Sequence, residues 1–133
     1  MNNKLGKILA EISVGELFDK ISILEIKKTK IQDINKLKDV LKELGSLNET
    51  LKKYDLNKTD ERLKDLIKKL TNINLELWDI EDGKRIAEKN NDFGENFIKL
   101  ARNVYKKNDV RAKIKLEINK VLGSNIKEIK SHY

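Results

Sequence analysis

Seven polar residues fall on helix-patterned faces that otherwise carry hydrocarbon: Glu25 in one segment, Asn74, Glu81 and Arg85 in a second, and Asn108, Arg111 and Lys115 in a third. Groups set among apolar neighbours must pair with one another or hold something, because an isolated buried charge costs several kcal/mol or more. Three kinds of chemistry suit them. Arg85, Arg111 and Lys115 could grip a small anion, with Glu25, Asn74, Glu81 and Asn108 completing a ligand site. Glu16, Asp19, Glu81 and Asp82 offer oxygen ligands to a hard divalent cation, the first two spaced one helical turn apart. Otherwise the set is self-satisfied, with Glu81 and Arg85 at i and i+4 pairing with Arg111 and Glu25 while Asn74 meets Asn108. Such a seam fixes helix register and adds little stability.

The elements that must position these groups are helices. Ser13-Val14-Gly15-Glu16 reads as a capping box, with Ile12 and Leu17 as its hydrophobic staple, so a helix starts near Val14 and runs to about Ile31. At about 100° per residue, Val14, Leu17, Phe18, Ile21, Leu24 and Ile31 share a stripe, and Glu25 and Lys28 fall inside it. Lys28 can snorkel from the helix end; Glu25 is too short to do so. Asp33 opens a second stretch through Ile34, Leu37, Val40, Leu41 and Leu44, loosening at Gly45 and resuming through Leu47, Leu51 and Tyr54. After a loop at Asp55-Leu56-Asn57-Lys58, Thr59 is expected to cap a long helix whose buried side is Leu63, Ile67, Leu70 and Leu77 and which ends near Lys89.

Asn90 and Asn91 form the next turn, and Asp92-Phe93-Gly94-Glu95 reads as a further capping box. The following stripe, Phe93, Phe97, Leu100, Ala101 and Val104, continues through Asn108, Arg111, Lys115, Ile118 and Leu122 if Asn108-Asp109 does not break the helix, with Gly123 as the C-terminal cap. An antiparallel hairpin turning at Asn91 pairs positions whose numbers sum to roughly 182. That register sets Asn74 opposite Asn108 and beside Arg111, Glu81 opposite Ala101, and Arg85 opposite Phe97. Ile23, Ile26, Leu75 and Ile86 lie off the main stripes and suggest a partner helix or a symmetric homodimer.

Composition narrows the classes. The 133 residues suit one domain with a real core, and no prolines, six glycines, 38% charged and 5% aromatic residues favour a helical bundle. The absence of cysteine removes disulfides, thiolate nucleophiles and zinc-thiolate sites, as in a reducing compartment. His132 is the lone histidine and near-terminal, which argues against histidine-based nucleophilic or metal chemistry. Ser13 is a helix cap rather than a nucleophile. No signal-type leader and no apolar run of about 20 residues is legible, so a cytoplasmic protein is expected. The net charge of +7 is spread along the chain, with four arginines, Arg62, Arg85, Arg102 and Arg111. With no clear basic stripe or aromatic platform, nucleic acid and membrane surfaces are the weaker partners.

Several motifs together resemble an uncharacterised family of small helical proteins from bacteria and their viruses: Val14-Gly-Glu-Leu-Phe-Asp-Lys-Ile-Ser-Ile-Leu-Glu-Ile-Lys27, Leu77-Trp-Asp-Ile-Glu-Asp82 with Arg85, Asp92-Phe-Gly, Leu100-Ala-Arg-Asn-Val-Tyr105, Asn108-Asp109 and Arg111-Ala112. The resemblance runs from about Ile8 to the C-terminus and is weakest between Asp33 and Asp60. It implies no activity, but it directs attention to Glu16, Asp19, Lys20, Glu25, Glu81, Asp82, Arg85, Asn108, Asp109 and Arg111. The carboxylates also resemble those of helical nucleotide pyrophosphohydrolases, which hold Mg²⁺ between paired helices. The cations invite comparison with all-helical chorismate mutases, whose full arginine and lysine set does not align here. The expectation is an all-α bundle of four or five helices built on a hairpin from about Thr59 to Leu122. Its function is unassigned. The leading reading is a non-catalytic binding or assembly module without a cofactor, whose polar seam accepts a small anion; a Mg²⁺-dependent or mutase-like enzyme and a nucleic-acid binder are the alternatives.

Overall fold

The computed structural model describes residues 5–56 and 60–123, and the whole regular structure among them is helical. The order is α1 (Val14–Lys30), α2 (Ile34–Lys53), α3 (Glu61–Lys89) and α4 (Glu95–Leu122). Local signals account for most boundaries. The Ser13 hydroxyl accepts from the Glu16 N–H at 3.1 Å, and Asp33 accepts from the N–H groups of Asn35 and Lys36. Basic residues close α1, and Gly123 takes the left-handed conformation, φ 64°, that ends α4.

Three expectations about the elements change, and the point left open at Asn108-Asp109 is decided. The cap of α3 is Asp60, which accepts from the Arg62 and Leu63 N–H groups; Thr59, with Asn57 and Lys58 of the expected loop, lies outside the described residues, as does His132. Gly94, not Asp92, caps α4, and Asp92 accepts instead from the Gly94 N–H at 3.3 Å, so no capping box forms there. α2 does not loosen at Gly45, because one helix runs through it. Asn108 and Asp109 likewise sit inside a continuous α4.

α3 and α4 form the antiparallel hairpin. The Glu76–Lys107 ion pair at 3.2 Å and the approach of Gly83 to Leu100 reproduce the expected register to within a residue. Glu81 and Ala101, placed opposite each other by that register, are both exposed. α1 lies across the hairpin, antiparallel to α4, as shown by Gly15 meeting Asn119 while Asp19 meets Arg111. α2 covers the other side of α1, antiparallel to it, through Leu24 against Val40 and Leu44. The main core, Leu17, Phe18, Leu51, Leu63, Leu66, Leu70, Ile73 and Ile118, gathers at the end of the hairpin away from the Asn90-Asn91 turn. Nearer that turn the two hairpin helices have little but each other, and Ile86, Phe93, Ile98 and Tyr105 are each at least half exposed. Phe93 meets Phe97 edge-on, with ring centroids 5.5 Å apart.

α1 is therefore buried on two sides. Leu17, Ile21 and Leu24 serve the core and α2, while Gly15, Phe18, Asp19, Ser22 and Ile26 make up an i, i+3/i+4, i+7, i+11 face. Ile26, expected on a secondary surface, is 5% exposed. Glu25, expected within the buried stripe, is exposed and pairs with Lys28 at 3.6 Å, so it does not join a core seam.

Close approach of α1 to α4 depends on the missing side chain of Gly15. A Cβ there would lie 2.4 Å from the Lys115 carbonyl oxygen and 2.9 Å from Asn119 Oδ1. The Gly15 N–H donates to that same Oδ1 at 2.7 Å. Gly15→Ala must push the helices apart despite the better helix propensity of alanine, and should destabilise the protein by about 1–3 kcal/mol, read as a lower urea midpoint. Gly45→Ala, with open space around its position, is the control and should be neutral or stabilising.

Candidate functional site

The polar groups converge on Asp19. Its residue is 1% exposed, and its carboxylate receives Arg111 Nε at 3.0 Å on Oδ1 and the Arg111 Nη2 group on Oδ2, a two-pronged contact. Asn74 Nδ2 donates to the same Oδ1 at 2.9 Å and to Ser22 Oγ at 3.2 Å. Lys115, itself 7% exposed, sets its ammonium 2.7 Å from Glu16 Oε2 and 3.4 Å from Asp19 Oδ2. Asn108 Oδ1 accepts from Arg111 Nη1 at 3.4 Å. Two carboxylates of α1 thus face two cations of α4, with the Asn74 amide of α3 completing the set, which is the condition under which buried charge is tolerated.

Burial raises the Asp19 pKa, but hydrogen bonds from Arg111 and Asn74, with the charges of Arg111 and Lys115, outweigh it and hold the carboxyl below its ordinary value. A lowered native pKa means the folded state favours the charged form. The resulting stabilisation is complete above the unfolded value of about 3.9 and is lost as pH falls through the native one.

Of the residues anticipated from sequence, Asn74, Asn108, Arg111 and Lys115 are in this seam, together with Glu16 and Asp19 of the candidate metal set. Glu81, Arg85 and Asp82 are exposed on α3, and Glu81 pairs with Lys84 at 3.3 Å instead of with Arg111. Asn74 meets Asp19 rather than Asn108. Among the described residues no three acidic or imidazole groups gather as metal ligands: Glu16 and Asp19 are engaged by cations and do not join Glu81 and Asp82. Sequence reasoning missed Ser22, Gly15 and Asn119, all buried on the α1 interface. For the two on α1 the signal was the small or polar row Gly15, Asp19 and Ser22, at helical spacing alongside Phe18 and Ile26.

Above the seam lies an open cleft of about 490 Å³ lined by Ile23, Ile26, Asn74, Leu77, Trp78, Glu81, Asp82, Arg85 and Arg111. It forms where the last turns of α1 pack on α2 through Leu24 and leave Ile23 and Ile26 towards α3. The floor is apolar and the rim ionic. Among the described residues neither Asp82 nor Arg85 has a salt-bridge or hydrogen-bond partner.

A four-helix domain with an internal ion-pair seam and an adjoining half-apolar cleft defines a class by architecture, not by activity. The chain belongs to the family of unknown function DUF6165, whose pattern covers residues 8–133. No curated protein and no solved structure matches the chain. No helix among the described residues is long and apolar enough to cross a membrane.

The seam and the rim should respond oppositely to mutation. Arg111→Ala strands the Asp19 carboxylate and should cost about 3–5 kcal/mol, whereas Arg85→Ala, at an exposed position, should change stability by no more than about 0.5 kcal/mol. In urea melts from pH 6 down to pH 3, the advantage of wild type over Asp19→Asn should be constant above about pH 4 and shrink below it.

Proposed function

We propose that this chain is a non-catalytic ligand-binding module whose cleft between α1, α3 and α4 accepts a small molecule with an apolar body and an anionic group. The observation that carries this reading is Arg85: a guanidinium on the rim of a cleft floored by Ile23, Ile26, Leu77 and Trp78, with no acidic partner among the described residues. A free guanidinium beside hydrophobic walls is well suited to carboxylate or phosphate, since the charge fixes orientation and the walls supply buried area. The cleft volume lies within the range of small-molecule sites. Arg111 bounds the same cleft, but its strong contacts go to Asp19, so its part is to hold the wall rather than the ligand.

The test is a thermal-shift screen of aryl and alkyl carboxylates, nucleotides and sugar phosphates, each with and without Mg²⁺. A ligand at a hundred times its Kd stabilises by about 2.7 kcal/mol, which moves Tm by several degrees in a chain of this size. At least one apolar-bodied anion should do so, and Arg85→Ala should abolish the shift while leaving the unliganded Tm in place. Equal shifts in the wild type and Arg85→Ala would contradict the assignment.

A further inference from the structure

The cleft also presents acceptors, which a simple anion cannot use, and their positions restrict what else the ligand must carry. Asp82 is a carboxylate with no partner among the described residues, three positions before Arg85 on the same helix. Residues three apart are neighbours on a helix surface, so one anionic and one cationic anchor stand side by side at the rim. Glu81 is beside them but is already paired with Lys84.

The third polar group is Asn74, 5% exposed and part of the cleft wall. Its hydrogen bonds run through Nδ2, to Asp19 and to Ser22, and those two acceptors fix the amide orientation. What remains is Oδ1, which receives no donor among the described residues. Among the described residues the buried side-chain polar atom without a partner is Asn119 Nδ2, so Asn74 Oδ1 keeps solvent access and is free to accept a donor from an occupant of the cleft. Asn74 lies about two turns below Asp82 along α3, and Trp78 and Leu77 occupy the interval.

Resting on the ligand-binding reading above, we infer that the occupant is amphoteric: an aromatic α-amino acid, its carboxylate on Arg85, its ammonium on Asp82, its ring against Trp78, Leu77 and Ile26, and a ring donor directed to Asn74 Oδ1. An α-amino acid matches the rim because its two charges are separated by a single carbon, so both can be met by neighbouring side chains of one helix. A ring between apolar walls matches the floor. A simple carboxylate leaves Asp82 unpaired and facing the bound anion, and an amine alone leaves Arg85 unmatched.

The experiment uses the full chain and three probes of one shape: L-tryptophan, 3-indolepropanoate, which lacks the amine, and tryptamine, which lacks the carboxylate. Calorimetric titration should give the tightest binding for L-tryptophan, with each analogue weaker by about tenfold or more, the ratio expected when one charge-assisted contact is lost. Asp82→Asn should narrow the gap between L-tryptophan and 3-indolepropanoate. Arg85→Ala should weaken both and spare tryptamine. Binding of 3-indolepropanoate as tight as that of L-tryptophan would overturn the amphoteric assignment and leave the anion reading standing. No heat from any of the three, while another apolar-bodied anion binds through Arg85, would also overturn it. If no anion binds in either experiment, the ligand-binding reading itself falls.

Discussion

The Asp19 carboxylate is enclosed where three helices meet, and each of the three must supply something for it to remain charged. α1 brings the carboxylate, α3 the Asn74 amide, and α4 the Arg111 and Lys115 cations. The geometry is demanding because a buried ion is tolerated only when its lone pairs are met. Hydrocarbon contacts around Leu70 and Ile118 provide the driving force for collapse but are indifferent to modest sliding of one helix along another. The ionic contacts are not indifferent. Sliding α1 by one residue relative to the hairpin would remove Asp19 from Arg111 and carry Gly15 away from Asn119, replacing a close backbone approach with a clash.

That constraint also shapes the surface above it. The first half of α1 is tied to the hairpin by the seam and by Gly15, while Leu24 draws the second half onto α2. The wedge between these attachments is the cleft, and its wall shares Asn74 and Arg111 with the seam. The cleft wall and the seam therefore share residues, while the rim groups Asp82 and Arg85 remain outside the network. A cleft of this design can be altered at its rim without unlocking the helices.

The all-helical architecture was legible because it is written in caps and periodicity: Ser13, Asp33 and Gly123 behave as their types suggest, and the hairpin register follows from a turn at Asn91. The α4 part of the seam was legible as well, since Asn108, Arg111 and Lys115 interrupt an apolar stripe. The α1 part was not. Apolar periodicity picked the face containing Glu25, whereas the face against the hairpin is built from Gly15, Asp19 and Ser22, small or polar residues that hydropathy assigns to solvent. Glu81 and Arg85 failed for the converse reason: they continue the line of a buried stripe past the point where Leu24 draws α1 towards α2 and leaves that face open as the cleft. A one-helix pattern cannot report where its neighbour ends.

Asp19 and Arg111 act as a coupled pair that locks α1 to the hairpin. A double-mutant cycle with Asp19→Asn and Arg111→Met, read by urea unfolding near pH 7, tests it directly. The expected coupling energy is above about 1.5 kcal/mol, each single change being costly and the second change adding little to the first. Additivity within about 0.5 kcal/mol would show that the two side chains stabilise the fold independently, and would contradict it.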